Sequence, residues 1–144
     1  MPNYPHFSLK ELVASDVAAR KKIDNTPSFE VVEHLSELTE KILEPLRVAW
    51  GSPIKVTSGY RCEKLNKAVG GVASSAHMRG DAADLQPTNG KMDDFITFAR
   101  LWFMNTHTRF DQLLDERSGR SRWMHISIYS STGSQRGEVK VMNV

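Results

Sequence analysis

The sequence predicts an α+β fold, and three observations carry that expectation. Apolar residues recur at helical spacing early in the chain, at Val31, Val32, Leu35, Leu38, Ile42, Leu43 and Leu46. Short alternating or wholly apolar runs dominate later, at 54–58, 82–85, 112–114 and 123–129. Helices therefore lead and strands follow, which fits α+β better than a doubly wound parallel sheet. Neither repeats nor a linker rich in Gly, Ser or Pro interrupts the 144 residues, so one domain over 1–144 is expected.

Taken in order, Ser8 reads as an N-cap with Glu11 closing a capping box, opening a short helix over 9–15. A second helical turn is expected over 18–23, and Asn25-Thr26-Pro27 is a breaker with a helix start built in. The long helix then runs from about Ser28 to Trp50, kinked or crowded by Pro45. Gly51-Ser52-Pro53 ends it, and the strand at 54–58 follows. Residues 62–68 read as a short helix carrying Leu65, residues 70–75 as a loop, and Ala82 to Leu85 as a buried strand. Met92, Phe95, Ile96, Ala99 and Phe103 define one face of a helix over 91–105, and Phe95, Phe98, Trp102 and Phe103 read as core. In the strand at 123–129, Trp123, His125, Ser127 and Tyr129 share one face, and Met124, Ile126 and Ile128 the other. Residues 138–142 have weak strand character and no evident role.

Hydrophobic residues at 40 % and charged residues at 25 % are ordinary globular values. A net charge of +2, from 19 basic and 17 acidic side chains, is too balanced to argue for nucleic acid. With Cys62 alone, no internal disulfide can form. No apolar run approaches the ~18 residues of a membrane span, and residues 1–10 lack the basic and apolar regions of a signal peptide. The expectation is a monomer that stays in the cytoplasm as synthesised, unless a phage lysis system releases it to the periplasm and wall.

Three side chains stand out as chemistry. His77 and Asp84 lie in Ser75-Ala-His-Met-Arg-Gly-Asp-Ala-Ala-Asp84, and His125 in Trp123-Met-His-Ile-Ser127. A catalytic Zn²⁺ takes three such ligands and keeps a fourth position for water. Gly80 lets the loop turn back toward Asp84, Ala82 and Ala83 allow close packing beneath a metal, and a strand would hold the His125 ring rigidly. The spacing alone is weak. By residue type alone a strand histidine such as His125 is more often a hydrogen-bonded residue than a ligand, and Asp84 also reads as a turn or cap residue and His77 as a loop histidine. His6, His34 and His107 have no partners at ligand spacing.

Further runs sharpen the picture. Ser58-Gly-Tyr-Arg61, Leu65-Asn66, Val69-Gly-Gly71, the His77 to Asp84 segment, Phe110-Asp-Gln-Leu-Leu-x-Glu116 and Trp123-x-His-Ile-Ser127 follow one another in order. With Phe7-Ser-Leu-x-Glu-Leu12 and Leu43-Glu-Pro-Leu-Arg47, they resemble the zinc D-alanyl-D-alanine carboxypeptidase family, in its short single-domain branch of phages and bacteria. The resemblance spans Phe7 to Ser127 and implies a hedgehog/DD-peptidase-like fold, a small antiparallel sheet with helices packed on one side. It implies zinc held by His77, Asp84 and His125, and a peptidoglycan stem peptide as substrate. It also implies an acidic general base, often placed three residues before the last histidine. Here that position is Arg122, a departure. Glu116 is the base the resemblance favours, with Asp81 a further candidate and Asp115 expected on the opposite strand face. Arg61 would bind a terminal carboxylate or the oxyanion, its alternative being a salt bridge that holds the Tyr60 loop. Ser75 would contact substrate or cap its loop, Gln112 would support His125 or Glu116, and Trp123 would wall the cleft. Cys62 reads as a small packed residue. Two other functions compete: a module that keeps the fold without turnover, favoured by Arg122, and an amidase built on the same triad.

Overall fold

Three serines start the helical half. The computed structural model describes residues 1–144. The Ser8, Ser15 and Ser28 hydroxyls accept the N–H of Glu11, Ala18 and Val31 at 3.1, 3.1 and 3.2 Å, opening α1 (Leu9–Val13), α2 (Asp16–Lys21) and α3 (Phe29–Leu38). Pro45 falls in the first turn of a helical segment of its own rather than inside one regular helix. The turn before it widens into a π-turn over Thr39–Leu43, in which the Glu44 N–H bonds the Thr39 carbonyl, and α4 (Glu44–Trp50) continues from there. Widening relieves the clash of the proline ring with the preceding turn and absorbs its missing N–H. Gly51, at φ 76°, ends α4 in the left-handed conformation.

The strands form one sheet in the order β1-β2-β4-β3-β5, from β1 (Ile54–Ser58), β2 (Ala82–Pro87), β3 (Gln112–Ser118), β4 (Ser121–Ser127) and β5 (Glu138–Asn143). Between β1 and β2 lie the short helix α5 (Glu63–Ala68) and a 3₁₀ turn over Ala76–Arg79. The helix α6 (Met92–Thr106) connects β2 to β3. The expectation of an antiparallel sheet holds for four strands, but β5 pairs parallel to β3 at the sheet edge. The weak strand character of 138–142 thus belongs to the sheet itself. Parallel pairing needs a crossover, which residues 128–137 supply.

Alternation divides the sheet chemically. Ala83, Leu85, Leu113, Met124 and Ile126 point to one face and join Leu35, Leu38, Ile42, Leu46, Phe95 and Phe103 in the main core. The opposite face carries Asp84, Leu114, Glu116, Trp123 and His125 and opens on a cavity. One buried face anchors the strands, and the other is free for polar work. Leu65 packs apart from this core, with Ala18 and Ile23.

Candidate metal centre

Strand register assembles the centre. Asp84 on β2 and His125 on β4 are direct partners, and Leu114 on β3 flanks His125 on its other side. His77 comes from the 3₁₀ turn, which Ser75 caps through the His77 N–H and which Gly80, at φ 79°, terminates. A side chain at Gly80 would also meet the Val31 carbonyl oxygen at 2.8 Å, so this turn requires glycine twice over. All three residues are buried, and their ligand atoms lie within 4.8 Å of one another. Asp84 Oδ1 is 3.2 Å from His77 Nε2 and 3.0 Å from His125 Nδ1. Ligands of a tetrahedral zinc at ~2.0–2.1 Å stand roughly 3.3 Å apart, so the spacing fits.

Hydrogen bonding adds an independent test of fit. His77 Nδ1 lies 2.7 Å from the Gly59 carbonyl oxygen, which can only accept. Nδ1 therefore carries a proton, and in the neutral ring Nε2 presents a lone pair toward the Asp84 carboxylate. Two acceptors 3.2 Å apart need a positive charge between them, which either a second ring proton or a bound metal ion supplies. The backbone that supplies this carbonyl passes too close to α1 for any side chain at Gly59, where a Cβ would come within 2.0 Å of the Leu12 carbonyl oxygen. Burial pushes the Asp84 carboxyl up, but His77 and His125 overcome it and hold the group well below the usual carboxylate range. An ionised carboxylate with two imidazoles is a donor set suited to Zn²⁺.

Glu116 lies on the same face as the triad. Its Oε1 is 3.7 Å from His125 Nδ1 and accepts a hydrogen bond from Trp123 Nε1 at 3.2 Å. Burial, together with the Asp84 carboxylate, pushes the Glu116 carboxyl above its ordinary value. Trp123 thus does more than wall the cleft, because it fixes the carboxylate directly opposite it in the register. Sequence reasoning missed that bond, although the pairing of these two strands would have exposed it.

Arg122 belongs to the other face. Its Nε and Nη2 donate to the Asp115 carboxylate at 2.9 Å each, and Nη1 pairs with Asp93. Lying an odd number of residues from His125 on one strand, it cannot share that residue's face. The departure at Arg122 therefore takes nothing from the triad's side of the sheet. The hydrogen bonds from Arg122 outweigh burial and hold Asp115 below the ordinary carboxylate range. The stability this contributes is complete above the unfolded-state value of ~3.9 and is lost as pH falls through the lower folded-state value. Arg122→Leu is expected to lower stability by ~1–3 kcal/mol at neutral pH, to flatten the acid limb of the stability curve, and to leave zinc content unchanged. Denaturant unfolding at a series of pH values, with metal analysis, checks this.

The remaining candidates divide. Arg61 lines the cavity and donates to the Ser58 and Ser75 hydroxyls at 3.5 and 3.4 Å, with no carboxylate at ion-pair distance. The expected alternative of a salt bridge is absent, and its Nε is buried without a partner. Burial lowers its pKa, which Asp84 and Glu116 oppose; the guanidinium stays charged. Asn25, read only as a breaker, bonds the Tyr60 carbonyl and the Cys62 N–H at 2.9 and 2.8 Å and so frames Arg61. Ser75 lines the cavity with its hydroxyl engaged by His77 and Arg61. Gln112 also lines the cavity, but its amide donates to Glu138 on β5 at 2.8 Å, rather than supporting His125 or Glu116. Asp81 leaves the candidate set: its carboxylate pairs with Arg79 at 3.2 Å and faces His34 at 3.5 Å. The partner that sequence denied His34 is supplied by the fold. Cys62 caps α5, its Sγ accepting the Leu65 N–H at 3.4 Å.

A sheet face that gathers two imidazoles, a carboxylate and a second acid in one cavity is the layout of a metallopeptidase. The family model described as peptidase M15 matches residues 5–127, and the chain belongs to that family, the zinc D-Ala-D-Ala carboxypeptidase type. A comparison with curated proteins returns no match. No helix is long and apolar enough to cross a membrane.

Proposed function

We propose that this chain is a zinc-dependent peptidase that hydrolyses peptide bonds in peptidoglycan stem peptides, as a D-Ala-D-Ala carboxypeptidase or an endopeptidase. His77, Asp84 and His125 would hold the ion, which when bound supplies a Lewis acid that acidifies water and polarises the scissile carbonyl. Glu116 takes the proton of the attacking water at a carboxylate oxygen and returns it to the leaving amine nitrogen. Trp123 holds that carboxylate in place. Arg61, charged and free of any acidic partner, binds the substrate carboxylate or the developing oxyanion.

The observation that carries this reading is the position of Glu116, in the same cavity as the triad and 3.7 Å from His125. The alternative of a fold without turnover drew its support from Arg122, which pairs with Asp115 and Asp93 on the helix-covered face. Zinc-loaded protein incubated with purified muropeptides is expected to release new amines. Mass analysis of the products separates loss of terminal D-Ala from cleavage within the stem, and both from amide cleavage at the lactyl group. No amine release from any muropeptide would sink the peptidase reading, and lactyl cleavage would turn it into an amidase.

A further inference from the structure

Residues 128–144 lie outside the segment matched to the family, yet they wall the same cavity as the triad. Ser130, Ser131, Thr132 and Ser134 line it from the crossover loop, and Met142 and Val144 from the β5 end. The loop is built in from both sides. Arg136 donates twice to the buried Asp111 carboxylate at 2.8 Å, and the Glu138 N–H bonds the Asp111 carbonyl at 2.9 Å. At the other end Arg79, from the turn that carries His77, donates to the Tyr129 carbonyl at 3.1 Å, and the Tyr129 hydroxyl donates to Glu37 at 2.6 Å. Within the loop the Ser130 N–H bonds the Ser134 carbonyl at 2.9 Å, and the Ser130 hydroxyl lies 3.0 Å from that of Thr132.

The loop part of this wall carries no unpaired charge, since its one arginine is already paired with Asp111. It offers hydroxyls, each able to donate and to accept, and the Ser131 hydroxyl makes no hydrogen bond within the chain. Such a surface does not select a charged group; it suits the alternating donors and acceptors of peptide amides. The cavity of about 850 Å³ is also far larger than two alanyl residues need, and lies toward the top of the ~300–1,000 Å³ that takes drug-sized ligands.

We propose that residues 128–144 build an extended subsite for the amide-bearing part of the stem peptide remote from the bond cut, so that the enzyme selects peptides longer than a terminal dipeptide. This rests on the stem-peptide reading above. The test compares kcat/KM of the zinc-loaded protein on an N-blocked D-Ala-D-Ala dipeptide, on a sugar-free pentapeptide stem, and on the same stem joined to its disaccharide. The pentapeptide is expected to be favoured over the dipeptide by at least about tenfold, the work of two or three modest hydrogen bonds. In the triple variant Ser131→Ala, Thr132→Ala, Ser134→Ala, all exposed positions, that preference collapses toward one. Equal rates on dipeptide and pentapeptide, an undiminished preference in the variant, or a gain that appears only with the disaccharide would each overturn the proposal. If the wild type cuts nothing, the peptidase reading fails. The subsite is then judged by calorimetry of the pentapeptide on both zinc-loaded proteins: about tenfold weaker binding by the variant supports it, and equal binding overturns it.

Discussion

His77→Ala and His125→Ala are each expected to abolish stoichiometric zinc, of which the wild-type chain is expected to carry one ion. Altering the groups that orient a metal ligand typically costs ~10–100-fold in affinity, and removing a ligand outright costs more. The structure leaves no substitute donor. Asp81 is committed to Arg79, and His34 lies 2.7 Å from the Arg79 carbonyl oxygen. Only Glu116 is near, and it stands 3.7 Å from His125 on the opposite side from Asp84's strand. The effect extends to stability. An ion that binds the folded chain at a free concentration ~100 times its dissociation constant adds ~2.7 kcal/mol. A chelator should therefore lower the unfolding midpoint of the wild type and leave both variants where they are. Metal analysis after dialysis, with circular dichroism to confirm the fold, reads both effects. Unchanged zinc in either variant would remove that histidine from the centre.

The parts of this molecule that follow a single period were readable from sequence. Leu35, Leu38, Ile42 and Leu46 declare a helix whatever the helix packs against, and all four are buried. Period-two alternation set Asp115 and Glu116 on opposite faces of β3, and applied to β4 it would have turned Arg122 away from His125. Features that depend on which strands meet were not readable. The Trp123 to Glu116 bond exists because β3 and β4 pair in one register. Gln112 reaches Glu138 because β5 returns parallel to β3, across a crossover with little pattern of its own. The π-turn lies between: Pro45 announces a disturbance, but whether a helix breaks, bends or widens depends on the core, and Leu43 and Leu46 are both fully buried here. The triad is the mixed case. Residue chemistry made His77, Asp84 and His125 plausible one at a time and the family resemblance named them as a set, while the β2–β4 pairing and the glycine-ended turn are what bring their nitrogens and oxygen together.

Glu116→Gln is expected to lower kcat by ~10²–10⁴-fold, the usual worth of a positioned acid–base group, while zinc content stays at that of the wild type. The amide keeps the size of the side chain and its ability to accept from Trp123 Nε1, so the cavity and the strand register survive. What it loses is a proton-accepting oxygen. The separation of the two readouts is decisive, because Glu116 also lies within 3.7 Å of His125. Were it a fourth ligand or a mere support for the imidazole, the metal would leave along with the activity. Trp123→Phe provides a graded comparison: the ring remains and the donor goes, so kcat should fall, and fall less than in Glu116→Gln, with KM little changed. Full turnover in Glu116→Gln with zinc in place would assign the proton transfer elsewhere. Within this cavity no second carboxylate is free to take it: Asp84 is bracketed by the two histidines, and Asp111 is held by Arg136.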